Sequence, residues 1–507
     1  MSEQAVGTGA LDGGEGKVTE TCVPARLDRL PWSRWHWMVI IALGVTWILD
    51  GFEVTLVGAL AAVLTEKDTL ALTTSQSADL GTFYLAGACG GALLFGYLTD
   101  RLGRKVLFMV TLGVYMLFTA LSGFAWDYWS LVVFRVLAGA GIGGEYAAIN
   151  SAIDELIPAR VRGRVALSIN GSWWVGTAAA AIISYSLLTY MSQSISWRLG
   201  FFVGVILALG IIIIRRFIPE SPRWLLTHGR ADEAEEVVGK IEQDVMRYNG
   251  LQELPPVEGE PLHVEQRKAI GFGNIVSYVV REYPGRGILG LSLMVGQAFF
   301  YNAIFFTYTL VLATFFEVDA AKAPLFLIPF AIGNVLGPWL LGPLFDSIGR
   351  RAMIASTYIV SGALLLVTGA LFVHGSLDET TMTILWSVTF FFASAGASAA
   401  YLTVSELFPM EARAMAIALF YAVGTGIAML SPTLFGRLIA SEDKMHVYYG
   451  YILGAVLMIG AGLVAVALAV KAERRSLEDI ARPLTAVRAK MAHGDADGAS
   501  AAGVRAR

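Results

Sequence analysis

Twelve apolar runs, each close to the roughly 20 residues a helix needs to cross a bilayer, divide this sequence into membrane segments and short charged loops. They fall near 37–63, 78–99, 106–125, 129–152, 165–190 and 198–217, and again near 287–313, 321–345, 352–373, 380–405, 412–437 and 447–470. Only 15% of the residues are charged, against about 25% in soluble proteins. The chain is therefore read as an all-α membrane protein.

One charged loop is written twice. Gly96-Tyr-Leu-Thr-Asp100-Arg101-Leu-Gly103-Arg104-Lys105 returns as Gly342-Pro-Leu-Phe-Asp346-Ser-Ile-Gly349-Arg350-Arg351. A second pair follows the fourth run of each set: Glu155-Leu-Ile-Pro158 with Arg162, and Glu406-Leu-Phe-Pro409 with Arg413. Matched loops at matched places predict two pseudo-symmetric six-helix bundles, an arrangement of solute transporters. The expected division is a tail at 1–36, a first bundle at 37–217, a linker with amphipathic helices at 218–286, a second bundle at 287–470 and a tail at 471–507. Residues 1–36 lack the apolar core and cleavage site of a signal peptide, so the first run is expected to be retained.

Lys and Arg collect on alternate loops, including Arg101, Arg104, Arg162, Arg350, Arg413 and Lys471. By the positive-inside rule both termini and the linker are expected in the cytoplasm, with the chain in the cell membrane. Asp100, Arg101, Arg104, Glu155, Arg162, Asp346, Arg350, Glu406 and Arg413 would then form a cytoplasmic gate that pairs when the halves meet and parts when they rock open. The plainer alternative is that these charges only anchor helix ends.

A net charge of −4 speaks against nucleic acid as a partner. Six scattered His form no metal cluster, no cofactor is called for, and no nucleophile–base pair suggests an enzyme. Cys22 and Cys89 are too differently placed to predict a disulfide, and Cys89 is read as a small packing residue.

Together the motifs resemble the major facilitator superfamily. Those flanking the spans resemble its sugar porter family: Pro219-Glu-Ser-Pro-Arg-Trp-Leu225, Arg135 with Gly139, Gly141 and Gly143, and Arg475-Ser-Leu-Glu-Asp-Ile480. The resemblance covers about 37–480 and implies a twelve-helix alternating-access carrier of a small molecule, expected as a monomer. Substrate-reading positions depart from the family. Asn150 and Ala152 replace a Pro and a Tyr, Asn170 replaces a Gln, and Ala397, Ser398 and Tyr401 stand where Gly-Pro and Trp are usual. Asp50-Gly-Phe-Glu53 resembles the acidic first-span motif of aromatic acid and other metabolite:proton symporters.

A charge inside a span costs roughly 2.5–3.5 kcal/mol or more. Asp50, Glu53, Arg135 and Glu145 are therefore the proton-coupling candidates. By helical rise Glu53 and Arg135 lie at comparable depth, close enough in level to allow a pair, with Asp50 and Glu145 deeper. Three acids and one base leave two negative charges uncompensated if all ionise, so one acid should hold a proton in some state. By resemblance, Glu53 is the acid position of proton-coupled sugar porters and Arg135 its partner; the alternative is a static ion pair. Glu145 is open between substrate ligand, second titrating site and structural acid.

Substrate-binding candidates are Asn170, Trp174, Gln297, Tyr301, Asn302, Asn334 and Tyr401, whose amides suit hydroxyl or amide groups and whose rings suit sugar, aromatic or cationic faces. Ser394, Gly396 and Ser398 are read as helix packing. The expected function is a proton-coupled symporter importing a sugar- or polyol-like metabolite. The alternatives are an organic-ion or aromatic-acid:proton symporter, an uncoupled facilitator and, remotely, a nutrient receptor on a transporter fold.

Overall fold

The computed structural model describes residues 18–61, 63–215, 219–257, 261–265, 272–319, 322–409, 413–473 and 475–481. A short strand β1 (Val18–Thr21) and helix α1 (Val23–Asp28) precede the first bundle: α2 (Arg34–Leu60), α3 (Thr74–Leu102), α4 (Arg104–Ser122), α5 (Tyr128–Leu156), α6 (Arg162–Tyr190) and α7 (Gln193–Arg215). The linker carries α8 (Pro222–Thr227), α9 (Ala231–Asn249), β2 (Leu262–Glu265) and α10 (Phe272–Glu282). The second bundle is α11 (Pro284–Phe305) with α12 (Tyr308–Phe316), α13 (Leu327–Ser347), α14 (Arg350–Val373), α15 (Glu379–Glu406), α16 (Arg413–Ala428) with α17 (Leu430–Ala440), and α18 (Lys444–Leu468); α19 (Leu477–Ile480) follows. Eleven stretches among the described residues are long and apolar enough to cross a membrane. The sixth expected span is α7, whose described apolar stretch is Ser194–Leu207.

Local chemistry sets the ends. Thr73 accepts from the amide of Gln76, whose side chain accepts from the amide of Thr73, and this capping box starts α3. Asp127 with Ser130 starts α5 the same way. Gly103 (φ 90°) and Gly349 (φ 115°), the second glycines of the repeated loop, reverse the chain between helices in a conformation that side chains with a Cβ disfavour.

Two spans expected as single helices are interrupted. Pro432 has no N–H for the Ala428 carbonyl, which accepts the Ser431 hydroxyl instead at 2.7 Å, and the helix restarts at Leu430. In the seventh span the Thr307 hydroxyl donates to the Ala303 carbonyl, and the helix breaks between Phe305 and Tyr308.

Lipid offers no hydrophobic drive for helices to associate, so close backbone approach has to hold them. In the first bundle α3 and α5 meet glycine to backbone. A Cβ on Gly87 would fall 2.0 Å from the Val136 carbonyl oxygen, on Gly91 2.0 Å from that of Ala140, on Gly139 2.2 Å from that of Tyr84, and on Gly143 2.0 Å from that of Ala88. Helices α2 and α6 meet through Gly51 and Gly176. The second bundle repeats the device, Gly333 and Gly337 of α13 lying against the Ser387 and Phe391 carbonyls of α15. The seam between the bundles runs along α6 with α13 and α3 with α16 and α17.

On the face that carries the repeated loops, the segment expected only as a polar tail folds from Val18 onward. β1 pairs antiparallel with β2, Val18 opposite Glu265 and Thr21 opposite Leu262. Arg26 and Arg29 bind Glu242 at 2.6 and 2.7 Å, and Arg26 also meets Glu235. Burial alone would push Glu242 up, but the two guanidinium hydrogen bonds outweigh it and hold the carboxyl below its usual range. α9 turns Ala234, Val238, Ile241 and Val245 inward.

Adjacent glycines give a direct test of the packing. Gly91→Ala should cost about 1–3 kcal/mol because the obstacle is backbone, lowering the melting temperature of the purified protein. Gly90→Ala, where an added Cβ meets nothing within 4 Å, should leave it unchanged or slightly raised.

Candidate functional site

Between the bundles lies a cavity of about 140 Å³, walled by α2, α3, α5 and α6 from one side and α11, α15 and α16 from the other. A water takes about 10–15 Å³ of such space, so the cavity accommodates on the order of ten non-hydrogen atoms. Nine aromatic rings line it: Trp47, Tyr84, Tyr146, Trp173, Trp174, Tyr301, Phe305, Tyr401 and Tyr421. Asn170, Gln297, Asn302, Ser394, Ser398 and Thr425 supply its polar atoms, and among the described residues no charged side chain reaches its surface.

Several of these groups are already engaged. The amide nitrogens of Asn170 and Asn302 donate to the carbonyls of Ala166 (2.9 Å) and Ala298 (2.7 Å), which turns their oxygens to other partners. Asn170 also donates to Asn150 at 3.3 Å, joining α6 to α5. Trp174 packs against Tyr301, Phe305 and Phe330 with centroids 5.4–5.6 Å apart.

Of the seven residues expected in the pocket, Asn170, Trp174, Gln297, Tyr301, Asn302 and Tyr401 line the cavity. Asn334 does not. It is fully buried behind the wall, where its oxygen accepts the Tyr301 hydroxyl at 2.8 Å and its amide caps the Phe330 carbonyl. Its polarity is used to fix a ring. Ser394 and Ser398, read as packing, face the cavity instead, whereas Gly396 does pack: a Cβ there would fall 3.0 Å from the Tyr358 ring. Trp47, Tyr84, Tyr146, Trp173, Phe305 and Tyr421 were not singled out. Aromatic residues in a span carry no periodicity that separates a lipid-facing ring from an inward one.

The intramembrane charges sit behind the cavity wall. Asp50, Glu53, Arg135 and Glu145 are all buried, none more than 1% exposed. The expected Glu53–Arg135 contact is not formed. No hydrogen bond reaches either Glu53 oxygen, and the carboxylate lies against Gly204, where a Cβ would fall 1.7 Å from Oε1. The Arg135 guanidinium lies instead over the faces of Tyr84 (4.7 Å) and Phe201 (5.4 Å), a geometry favourable to a desolvated cation. Arg135 remains within electrostatic reach of Glu53. Tyr84 therefore touches the cavity with its ring while carrying the buried cation on its face.

The charged face ties the bundles together. Asp346 accepts from the Arg164 amide across the seam (2.8 Å) and from Arg350 (2.8 Å), which also binds Glu406 at 3.2 Å. The chain passes so close here that a Cβ on Gly163 would fall 2.2 Å from both Arg350 and Asp346. Arg413 donates to the carbonyls of Ser405 and Phe408. The first bundle is wired differently. Arg162 binds Asp28 of the N-terminal segment at 3.3 Å, while Glu155 accepts from Ser221, and its carbonyl from Arg223 at 2.8 Å. Arg101 is exposed, its guanidinium 4.3 Å over Tyr97. The side chains of Asp100 and Arg104 lie outside the described residues. Asp154, not singled out in the sequence, is buried among Arg162, Glu406 and Arg413.

The profile of the family described as Sugar (and other) transporter matches residues 37–484. The niacin transporter NiaP of Acinetobacter baylyi is 26% identical, covering 90% of this chain and 99% of its own length. The putative metabolite transport protein YdjK of Escherichia coli is 28% identical, covering 90% and 95%. Among solved structures, the major facilitator superfamily proton:xylose symporter XylE from E. coli, bound to 6-bromo-6-deoxy-D-glucose, superposes with a TM-score of 0.70 at 18% identity, over 88% of this chain and 98% of that one.

Asp346→Asn removes a buried carboxylate from two donors while keeping its shape. Breaking a buried pair costs about 3–5 kcal/mol, so the variant should unfold earlier on heating and exchange the Arg164 amide hydrogen faster. An unchanged exchange rate would mean that this carboxylate does not hold the seam.

Proposed function

The chain belongs to the sugar (and other) transporter family, and from that premise we propose that it imports a compact, flat-ringed polar metabolite by alternating access, coupled to protons. It is a multi-pass membrane transporter. The charged face, with both termini and the linker, is taken as cytoplasmic from the Lys and Arg bias.

The observation that carries the substrate reading is the cavity wall: nine rings, a few amides and hydroxyls and, among the described residues, no charged group around a space of about 140 Å³. Such walls reward a planar ring by stacking, and the amide oxygens of Asn170 and Asn302 suit a solute that donates hydrogen bonds. Two of the three similar proteins carry a substrate in their names, one a niacin transporter and the other, similar in fold, a proton:xylose symporter. The sugar- or polyol-like solute expected from the family is the second reading, favoured by the three amides Asn170, Gln297 and Asn302.

The buried charge set supports coupling. Three acids and one base share the interior of the first bundle, so a fully ionised set leaves two negative charges in a medium that penalises them heavily. A proton on Glu53, whose oxygens meet no donor, relieves that cost and loosens the field holding Arg135. The protonated, loaded carrier then turns inward. On the cytoplasmic side, parting of Asp346, Arg350 and Glu406 from Arg164 opens the seam.

A melting-temperature screen tests the substrate class. Nicotinamide, an uncharged ring that donates through its amide, should stabilise the purified protein, by about 2.7 kcal/mol at a hundredfold excess over Kd, and xylose or glucose should not. Stabilisation by sugars alone would favour the second reading. In proteoliposomes, Glu53→Gln should abolish accumulation driven by a proton gradient and spare exchange of labelled solute at equilibrium. Unchanged accumulation would remove Glu53 from the coupling role.

A further inference from the structure

Three tyrosines from three helices and both bundles meet at one end of the cavity. Tyr146 of α5 stacks on Tyr421 of α16 with centroids 4.6 Å apart and planes 24° from parallel. Tyr401 of α15 lies 5.8 Å from Tyr146 and 6.3 Å from Tyr421. Trp47 buttresses Tyr146 edge-on at 4.6 Å. Ala92, Tyr421 and Ala422 form a packing cluster separate from the main cores, with Cys89, Tyr146 and Tyr401 against it.

Counting helical rise from the charged ends places this group. Tyr401 lies about 7 Å above Glu406, Tyr421 about 12 Å above Arg413 and Tyr146 about 13 Å above Glu155. By the same count the cavity-lining Trp174, Gln297 and Thr425 lie about 18–20 Å from their charged ends, and Asn170 and Ser398 about 12 Å. The tyrosines therefore line the end of the cavity nearest the charged face.

We propose that Tyr146, Tyr401 and Tyr421 form the inner gate, a ring stack shared between the bundles that seals the cavity toward the charged face and comes apart when the bundles separate there. This rests on the alternating-access reading above. The stack suits the task because its members come from opposite bundles and hold one another by faces. Rotation of one bundle parts it without breaking a buried ion pair. The Asp346–Arg350–Glu406 set closes the seam further out.

The chain supplies its own reporter. Cys89 of α3 donates to the Ala422 carbonyl of α16 at 3.2 Å across the seam, and it is half-buried against the same cluster. With Cys22→Ser it is the sole cysteine, since the chain has two. Alkylation of Cys89 by N-ethylmaleimide is followed in the full-length purified protein, with melting temperatures confirming that each variant folds. Tyr146→Ala should raise the rate about tenfold, which is ~1.4 kcal/mol in the closed–open balance and the size of an aromatic pair. Tyr146→Phe, which keeps the ring, should alkylate at the parent rate. Tyr401→Ala and Tyr421→Leu should behave like Tyr146→Ala, and either carries the test if the first does not fold.

Parent rates in all the ring-removing variants would overturn the gate, as would a Phe variant as fast as the Ala variant. No substrate or gradient enters this measurement, so it separates from the function reading. Fast alkylation with no ligand found leaves the gate standing and sinks the substrate class. Ligand binding with no change in alkylation does the reverse.

Discussion

Backbone against backbone, without side chains between, is the contact on which this structure depends. In lipid, helices gain little by hiding apolar surface from one another. The α3–α5 pair meets the problem with four glycines set against four carbonyls, and α13–α15 uses two more in the matching place. Helices that close move as one body. The seam between the bundles is built from side chains instead: rings, hydroxyls, the Asp346 carboxylate on the Arg164 amide, and glycines that meet side chains, such as Gly96 beside Ala418 and Gly171 beside Pro338. The contrast is between helices joined backbone to backbone within a bundle and bundles joined by side chains.

The same division governs charge. At the charged face, Arg350 is satisfied by two carboxylates, and Asp346 in turn by a backbone amide of the other bundle. At the centre, Arg135 is held by ring faces and Glu53 by no donor at all. The first arrangement is stable because every partner is present. The second sets a buried carboxyl and a buried cation within electrostatic reach of each other without a hydrogen bond between them.

The fold was largely legible because its signals repeat. Twelve apolar runs and two copies of each charged loop prescribe two bundles, and Gly103 and Gly349 recur because the same turn recurs. The interruptions at Thr307 and Pro432 were less so, since hydroxyl and proline effects on a helix depend on which carbonyl is left over. Within the site, amides could be anticipated because a buried amide needs partners. Asn334 shows the limit: its partner is the Tyr301 hydroxyl, not the cavity. The aromatic wall was mostly hidden, because Tyr146 or Trp47 looks no different in sequence from the exposed Trp129 or Trp339. Asp154 went unseen beside Glu155, since a boundary residue reads as loop until the opposite bundle is placed over it.

The pairing of β1 with β2 sets an order of events. The first strand leaves the ribosome early, but its partner lies beyond six membrane helices and the start of the linker. At 5–20 residues per second the roughly 240 residues between them take on the order of ten to fifty seconds to make. For roughly the first half of that interval Asp28 has no α5–α6 loop to bind, and for most of it Arg26 and Arg29 have no α9. The segment can dock only on a first bundle that has already been inserted and closed with its linker in place. The N-terminus thus acts as a late seal on assembly, and a bulky domain fused close to Val18 would interfere with biogenesis before it interfered with transport.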